Sequence, residues 1–412
     1  MKKTILLYCD SPLISTGFGT VARYLSEAFQ DKYDLTICAI NQYQDIPHNN
    51  NYKIYVSDNN PFNISKMKFL IEEKDWDIIF LFNDWNIISQ FNPDIEKARK
   101  RNKNLKVIAY TPIDTEYIPP IALSTLLDYD LVVTYTGWGK NIIEKAQPSL
   151  KDKNKVKVIG HGTDLGIFKP LSDSKIKKDR KNILSLNDND FLILNVSRNQ
   201  WRKDLPRSMQ LVKLFKESAS FKKNTNLIYF INSKVSDMGG DLLDISYSLE
   251  VNDFIKFPDP KYFNETIGVS PQFLNQLYNM ADVLISTSMG EGWGLPLTEA
   301  MATKTPVLAP NNSSMKEIIG ADEVRGYLMD SGTTLSEHFV YGEESSLLHP
   351  LANIESGVRK LTQIYSDKYG ITYGGATKEK IDKAYDYATF FSWEFIKTKW
   401  INLLKEIEYE TK

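Results

Sequence analysis

Short apolar runs alternate with longer amphipathic stretches along most of this 412-residue chain. Six runs in the first part fit β-strands: "TILLYC", "DLTICAI", "DIIFLF", "KVIAYT", "LVVTYT" and "KVKVIG". Stretches with helical spacing lie between them, for example at residues 21–30 and 64–73. Continuous apolar strands that alternate with helices form parallel sheets whose two faces are both covered. The pattern therefore predicts an α/β, doubly wound fold.

The pattern then starts a second time. A lysine-rich stretch, "SDSKIKKDRKNILSLNDND", fits a linker with a short helix, and five further apolar runs follow it: "FLILNVS", "NLIYFI", "DFIKFPD", "DVLISTS" and "TPVLAP". A chain of this length also exceeds what one ordinary core accommodates. We expect two Rossmann-like domains facing each other across a cleft, with the boundary near 165–180. Apolar residues at helical spacing in "SWEFIKTKWINLLKEIEYE" predict a long terminal helix.

Charge and cysteine content limit the class of protein. The formal net charge of -2 gives no global field for nucleic acid or an acidic membrane. The basic clusters at 97–106 and 175–181 are typical of solvated faces, although the first is where an acidic acceptor or a lipid headgroup would dock. Nucleic acid and a peripheral membrane contact therefore stay open. Two cysteines, and a first apolar run interrupted by an aspartate, favour a cytoplasmic protein without a signal peptide.

The stretch "STSMGEGWGLPLTEAMAT" places two glutamates eight positions apart around a Gly-Trp-Gly turn. Gly292 and Gly294 let the backbone approach a ligand closely. Pro296 suits the first turn of a helix, whose N-terminus would favour a phosphate-bearing ligand. Glu299 by itself could simply be a favourable charge near that N-terminus. Together with Glu291 it suggests a ligand that is held at both ends.

Several segments, in order along most of the chain, resemble retaining GT-B glycosyltransferases of family four (glycosyl transferases group 1). They are "STGFGTVARYL" at 15–25, "VIGHGTDLGIFKP" at 158–170, "LILNVSRNQWRKDLP" at 192–206, the two-glutamate block and "FSWEFIKTKW" at 391–400. The resemblance implies a donor domain at 169–389. It also implies an acceptor-side domain at 1–168, which the terminal helix at 390–412 completes.

The resemblance also implies roles for individual residues. Arg198 and Lys203 would clamp the donor diphosphate and neutralise charge on the leaving group. Glu299 would hold the ribose hydroxyls, and Glu291 would contact the transferred sugar. Backbone N–H groups would line the sugar and phosphates over four consecutive residues: Gly292, Trp293, Gly294 and Leu295.

In the first domain the sequence departs from the family pattern. Gly17 and Gly19 replace the commoner tandem glycines of the phosphate-facing loop. Asp114 stands where many members carry a histidine, and it could bind a sugar hydroxyl, polarise the acceptor or cap a turn. His161 is expected to be structural, and Asn83 and Asp84 are further candidates at a strand end.

No metal or cofactor is expected. Asp-x-Asp occurs at 75–77, 128–130 and 188–190, but each instance precedes a strand, and the four histidines are scattered. The co-substrate implied by the resemblance is a nucleotide-diphosphate sugar, with UDP or GDP as the favoured nucleotide.

The leading hypothesis is a retaining transfer of a sugar to an acceptor hydroxyl, by departure and attack on one face of the sugar. The acceptor could be a glycan, a lipid-linked glycan, a protein, a small metabolite or a modified base. Two alternatives stay open: a sugar-phosphate synthase or phosphorylase of the same fold, and a partner subunit that binds without turnover.

Overall fold

The computed structural model describes residues 2–14, 16–57, 60–218, 221, 225–264, 268–341, 347–370 and 376–409. The chain divides into two compact units. The first unit comprises Met1–Gly162 together with Trp393–Lys412, and the second comprises Thr163–Ser392.

The first unit contains a seven-stranded parallel sheet in the order β3-β2-β1-β4-β5-β6-β7. Its strands are β1 (Thr4–Asp10), β2 (Asp34–Ile40), β3 (Lys53–Tyr55), β4 (Ile78–Phe82), β5 (Lys106–Tyr110), β6 (Leu131–Thr134) and β7 (Val156–Val158). The central strands are buried along almost their whole length, as expected for a sheet covered on both faces.

Helices connect these strands and cover the sheet. They are α1 (Gly17–Phe29), α2 (Ile64–Glu73), α3 (Trp85–Ile88), α4 (Asn92–Arg101), α5 (Gly137–Ala146) and α6 (Pro148–Asp152). Two 3₁₀ helices, Ser89–Phe91 and Ala122–Asp128, complete the connections. The C-terminal helix, Trp393–Tyr409, returns to this unit and places the fully buried Trp400 ring 5.1 Å from Phe80 and 4.7 Å from Tyr110.

The second unit contains a six-stranded parallel sheet in the order β12-β9-β8-β15-β16-β17, and its described residues also form three short two-stranded antiparallel sheets. The strands are β8 (Phe191–Val196), β9 (Leu227–Asn232), β10 (Ser236–Asp237), β11 (Gly240–Asp241), β12 (Ile255–Lys256), β13 (Phe263–Asn264), β14 (Gly268–Val269), β15 (Val283–Ile285), β16 (Val307–Pro310), β17 (Tyr327–Met329), β18 (His338–Tyr341) and β19 (Leu347–Pro350).

The helices of the second unit follow the same alternation. They are α7 (Asp173–Leu184), α8 (Leu205–Glu217), α9 (Leu242–Ser248), α10 (Pro271–Met280), α11 (Leu295–Ala302), α12 (Ser313–Ile319), α13 (Ile354–Lys368) and α14 (Ala376–Phe390). Two 3₁₀ helices lie at Trp201–Lys203 and Leu335–Glu337. Within the described ranges, no helix combines the length and the apolar character needed to cross a bilayer.

All eleven predicted strands are present, and the structure adds two to the sheets. β3 and β17 are three residues each and lie at sheet edges, and neither was predicted. The lysine-rich stretch also forms more helix than expected, since α7 runs for 12 residues. Cys9 and Cys38 are buried in β1 and β2 and are not joined by a disulfide.

Candidate functional site

Two loops of the second unit, one after β8 and one after β15, meet at the carboxyl end of the sheet, where its parallel strands finish. β8 and β15 are parallel neighbours, so their carboxyl ends lie side by side. The Met289 backbone N–H donates to the Arg202 carbonyl at 2.9 Å, and the Thr287 hydroxyl donates to the Asp204 carbonyl at 2.8 Å. These bonds fix the two loops against each other.

The side chains of Lys203 and Glu291 form an ion pair at this junction. Lys203 Nζ lies 2.5 Å from Glu291 Oε1, and only 15% and 17% of the two side chains are exposed. Arg202 supports the same carboxylate, with Nη1 3.8 Å from Glu291 Oε2, and it also donates to the Gly290 carbonyl. One carboxylate is thus held between two cations from the opposite loop.

Electrostatics keep this carboxylate ionised. Burial acts to raise the pKa of Glu291, but the charges of Lys203 and Arg202 outweigh it. Hydrogen bonds from Lys203 and Ser288 act in the same direction. The pKa of Glu291 therefore lies below its usual value, and the side chain presents a permanent anion with two cations beside it.

The turn between the two glutamates leads directly into α11. Gly294 has φ +101°, a left-handed value that favours glycine, and among the described residues no side chain caps the helix that begins at Leu295. The turn is braced by α12, because the Glu291 N–H donates to Ser313 Oγ at 2.9 Å and Ser314 Oγ donates to the Trp293 carbonyl at 2.7 Å. The helix N-terminus is thus held in a fixed position at the sheet edge.

Glu299 lies in the second turn of α11 and is half-buried. The hydroxyl of the fully buried Tyr278, on α10, donates to Glu299 Oε2 at 2.7 Å. Burial raises the pKa of Glu299 to about 7; the Tyr278 hydrogen bond lowers it and the nearby Asp164 carboxylate raises it. Glu299 is therefore close to half-protonated at neutral pH, in contrast to Glu291.

Arg198 lies on the same loop as Lys203 but has a different partner. Its side chain is 60% exposed, and its Nε donates to Asp237 Oδ2 at 2.8 Å. Asn199 fastens the β10–β11 hairpin to this loop by donating to the Val235 carbonyl at 3.0 Å and the Gly240 carbonyl at 2.8 Å. Arg198 therefore presents an exposed cation at the edge of the Lys203–Glu291 loop pair.

In the first unit, close packing explains why a glycine stands at position 19, whether or not it contacts a ligand. The Gly19 N–H donates to Thr16 Oγ1 at 2.8 Å, and a Cβ at this position would lie 2.6 Å from the Ile14 carbonyl. Gly17 begins α1 and is exposed. A phosphate contact by either glycine stays a prediction.

The other polar candidates of the first unit follow strands of its sheet. Asp114 is half-buried after β5, whereas Asn83 is buried after β4 and accepts a hydrogen bond from the Asp84 N–H at 2.9 Å. His161 is buried, with Nδ1 2.9 Å from the Tyr110 hydroxyl, and burial lowers its pKa to about 3. His161 is thus a neutral core residue, in agreement with the structural role expected for it.

The carboxylates of the Asp-x-Asp sequences serve turns and strand starts. Asp77 accepts from the Thr4 N–H at 2.8 Å, Asp130 from the Val107 N–H at 2.8 Å and Asp190 from the Asn187 N–H at 2.7 Å. In the part of the chain that the structure describes, no group of three or more histidine, cysteine and acidic side chains could hold a metal ion.

The basic cluster at 97–106 is largely neutralised by neighbouring acids. The ion pairs are Lys97–Asp94 at 3.4 Å, Arg99–Asp130 at 2.6 Å, Lys100–Glu96 at 2.9 Å and Arg101–Asp75 at 3.4 Å. Such pairing favours the interpretation of this cluster as a solvated face.

Three residues of the candidate site were not predicted from the sequence. Arg202 stands next to Lys203, and the order of two adjacent cations gives no sign of which one faces the glutamate. Tyr278 lies in the apolar run of α10 and looks like an ordinary core residue. Asp237 lies on a two-residue strand 39 positions from Arg198. Arg202 lies on a loop that follows a predicted strand, and this position is a signal that the sequence offers. Tyr278 and Asp237 carry no such signal.

Residues 263–341 match the family model described as glycosyl transferases group 1. The alpha-monoglucosyldiacylglycerol synthase of Streptococcus pneumoniae is 24% identical over 232 residues, which cover 56% of this chain and 48% of that protein. The chain thus spans about half the length of that relative.

Solved structures with the same fold cover the whole chain. The Anabaena protein HepE, in complex with UDP and glucose, superposes with a TM-score of 0.68 at 16% identity over 98% of this chain and 100% of that one. Sucrose-phosphate synthase from Thermosynechococcus elongatus superposes with a TM-score of 0.71 at 14% identity over 100% of both chains. The GT-B fold and the family resemblance expected from the sequence are confirmed.

Proposed function

We propose that this chain, which carries the glycosyl transferases group 1 segment on a GT-B fold, is a retaining glycosyltransferase that uses a nucleotide-diphosphate sugar. One observation carries the proposal: Glu291, held between Lys203 and Arg202, and the half-buried Glu299 flank the same turn and helix N-terminus. Two carboxylates for hydroxyl groups, with two cations beside one of them and the backbone N–H groups of the turn between them, match the chemistry of such a donor.

Each group has a part in holding the donor. Glu299 accepts hydrogen bonds from the ribose hydroxyls, and Glu291 accepts from a hydroxyl of the transferred sugar. The backbone N–H groups of 292–295 and the cations Lys203 and Arg198 hold the diphosphate. A lysine ammonium has three N–H donors, so Lys203 can keep its bond to Glu291 and still donate to a phosphate oxygen. Binding therefore does not require the ion pair to break.

In the proposed reaction, the bond between the anomeric carbon and the diphosphate oxygen breaks, and the electron pair leaves with the nucleoside diphosphate. The acceptor oxygen forms its bond to the anomeric carbon on the same face of the sugar. Its proton passes to the departing phosphate oxygen. Lys203 and Arg198 stabilise the charge that develops on the leaving group, which is the main electrostatic demand of the transfer.

The acceptor is proposed only as a molecule with a nucleophilic hydroxyl. Asp114 is proposed to contact either the transferred sugar or this hydroxyl from its position after β5. No part of the donor scheme depends on that assignment, and no metal takes part in it.

The first test is stabilisation of the protein by nucleotides. The wild type and the Glu299→Ala variant are heated with UDP, GDP, ADP and CMP, each in large excess. At 100 times its dissociation constant a ligand adds about 2.7 kcal/mol to the stability. The proposal expects a shift with one nucleotide and the loss of that shift in the variant. Glu250→Ala, on the loop after α9, serves as a control because its carboxylate is exposed and pairs with Lys213.

The second test is turnover. The preferred nucleotide is supplied as a series of nucleotide sugars, and release of the free nucleotide is measured with and without candidate hydroxyl acceptors. Binding without release in any combination would favour the partner-subunit alternative. No thermal shift with any nucleotide would overturn the donor site itself.

A further inference from the structure

Tyr278 makes a direct contact with Glu299 from inside the second unit. Its side chain is fully buried on α10, and its hydroxyl donates to Glu299 Oε2 at 2.7 Å. The Phe168 ring packs edge-on against the phenol, with the ring centroids 5.9 Å apart. The Tyr278 side chain is thus set by packing before any ligand arrives.

The helix that carries Tyr278 is itself anchored. Asn275 Oδ1 accepts from the Lys169 N–H at 3.1 Å, and Asn279 Oδ1 accepts from the Leu171 N–H at 2.8 Å. These bonds tie α10 to the segment 163–171, which also contains Asp164. Asp164 is held in turn, because its Oδ1 accepts from the Gly166 N–H at 2.9 Å.

The two groups that shift the pKa of Glu299, besides burial, come from these same two elements. Tyr278 belongs to α10, and Asp164 belongs to the segment before α7. On α14, which packs against α11, two charged groups have ion-pair partners other than Glu299: Asp382 pairs with Lys304 at 3.5 Å and Lys380 with Glu323 at 4.0 Å. Tyr278 favours the ionised form of Glu299 and Asp164 disfavours it.

We propose that Tyr278 is a positioning residue for Glu299, and that nucleotide binding is coupled to the loss of a proton from this carboxylate. The proposal rests on the proposed function, because it takes Glu299 as the group that accepts the ribose hydroxyls. The Tyr278 hydroxyl donates to Oε2 from the protein interior. This bond orients the carboxylate so that its other acceptor positions face the ligand. A protonated Glu299 would offer fewer acceptor positions to the two hydroxyls.

The coupling gives a definite pH dependence. The pKa of Glu299 is about 7, raised mainly by burial. If the ligand requires the ionised form, affinity is highest above pH 7 and falls up to tenfold per pH unit below it. Removing the Tyr278 hydroxyl raises the pKa of Glu299 further, so the midpoint moves to higher pH. Removing the Asp164 charge lowers that pKa, so the midpoint moves to lower pH.

The test is a calorimetric titration of UDP and GDP from pH 5.5 to 9 at constant ionic strength. The proteins are the wild type, Tyr278→Phe, Asp164→Asn and Glu299→Gln. The terminal phosphate of either nucleotide also titrates, near pH 6, but it does so equally in every variant. Differences between the midpoints of the variants that bind are therefore the readout, and Glu299→Gln tests whether binding requires this carboxylate.

Tyr365→Phe is the matched control. Tyr365 is also fully buried in the second unit, and its hydroxyl lies 3.1 Å from Thr225 Oγ1. We expect Tyr278→Phe to weaken binding about tenfold at pH 8 and to shift the midpoint upwards, because a hydrogen bond to a charged group is lost. The Tyr365 variant should keep the wild-type midpoint.

The outcomes separate this inference from the proposed function. Absence of UDP and GDP binding to the wild type at every pH, together with no thermal shift from ADP or CMP, would be a failure of the proposed donor site. Wild-type binding that Glu299→Gln abolishes, with midpoints unchanged in Tyr278→Phe and Asp164→Asn, would overturn both the positioning role and the proton coupling and would leave the donor site in place. If Tyr278→Phe fails to fold, Asp164→Asn still tests the proton coupling: a downward shift of its midpoint supports the coupling, and an unchanged midpoint overturns it.

Discussion

Lys203 and Glu291 are 88 residues apart in the chain, yet their charged atoms lie 2.5 Å apart at the edge of the second sheet. The contact forms because β8 and β15 are parallel neighbours, so the loops that follow them leave the sheet side by side. Lys203 is proposed to bind the diphosphate and Glu291 the transferred sugar. Their ion pair links these two parts of the proposed site before any ligand binds.

The coupling predicts a non-additive effect on stability. Lys203→Met removes the nearer of the two cations from a largely buried carboxylate, and we expect it to lower the free energy of unfolding by about 3 kcal/mol. Glu291→Gln should cost less, because its amide oxygen still accepts from Lys203. Urea unfolding of both variants and of the double variant measures the interaction, which we expect to be about 0.5–3 kcal/mol. If the loss of stability in the double variant equals the sum of the two single losses, Lys203 and Glu291 do not interact energetically and the prediction is contradicted.

Arg198 should behave in the opposite way. Its ion pair with Asp237 is largely exposed on the arginine side, so Arg198→Ala should lower stability by less than about 1 kcal/mol. Nucleotide affinity should nevertheless fall by about tenfold or more, since a charge-assisted bond to phosphate is removed. Lys213→Ala, which breaks the surface pair with Glu250, should leave affinity unchanged. Wild-type affinity in Arg198→Ala would remove this residue from the proposed site.

Gly294 should resist substitution for reasons of backbone conformation. A Cβ there would make contacts no closer than 3.3 Å, to Leu297 Cδ1, but φ is +101°. We expect Gly294→Ala to lower the free energy of unfolding by about 1–3 kcal/mol. Gly292→Ala is the matched control, because Gly292 is not among the positive-φ residues. Thermal unfolding compares the two, and equal losses would contradict the role of φ.

His161 should make stability depend on acid. Its pKa is about 3 in the folded protein because of burial, against about 6.5 when exposed. The unfolded chain therefore binds a proton between these values that the folded chain does not. The contribution of His161 to the free energy of unfolding is fully present above pH 6.5. As the pH falls from there towards 3, this contribution is lost at up to about 1.4 kcal/mol per pH unit. Urea unfolding at pH 7.5, 6 and 5 should show a shallower loss in His161→Gln than in the wild type.

His338→Gln is the control for that series. His338 lies on β18 with Nδ1 2.8 Å from the Thr334 carbonyl. This variant should keep the wild-type slope. The same slope in wild type and His161→Gln would show that the buried imidazole is not the source of the acid sensitivity.

The sequence predicts the strands that lie in clear apolar runs and misses two short strands at sheet edges. Runs such as "TILLYC" are apolar throughout because both faces of the sheet are covered. In β3, "KIY" is only three residues long and none of them is fully buried, so it carries no comparable apolar signal. β17 is fully buried but equally short. β7 and β12 are no longer than β3 and β17 and also lie at sheet edges, but they were predicted because apolar residues continue beyond each strand in "KVKVIG" and "DFIKFPD". The length of the apolar run, rather than the length or burial of the strand, therefore limited the prediction.

In the candidate site, too, some residues could be predicted from the sequence and others could not. Glu291, Glu299 and Lys203 follow from the motif and its resemblance, since spacing along the chain is what a motif records. Their partners do not follow, because Tyr278 and Asp164 reach Glu299 from other elements. The pKa values depend on those partners, so the contrast between an ionised Glu291 and a half-protonated Glu299 could be found only in three dimensions.

The C-terminal helix has a consequence for the order of events during synthesis. Trp400 fills the space beside Phe80 and Tyr110, so the core of the first unit is incomplete until residues 393–409 have left the ribosome. The second unit is continuous in sequence and has no such dependence. The residues of the first unit up to Gly162 must therefore wait until the second unit and the helix after it have been made, and a nascent chain stalled at residue 392 would expose apolar surface that chaperones bind.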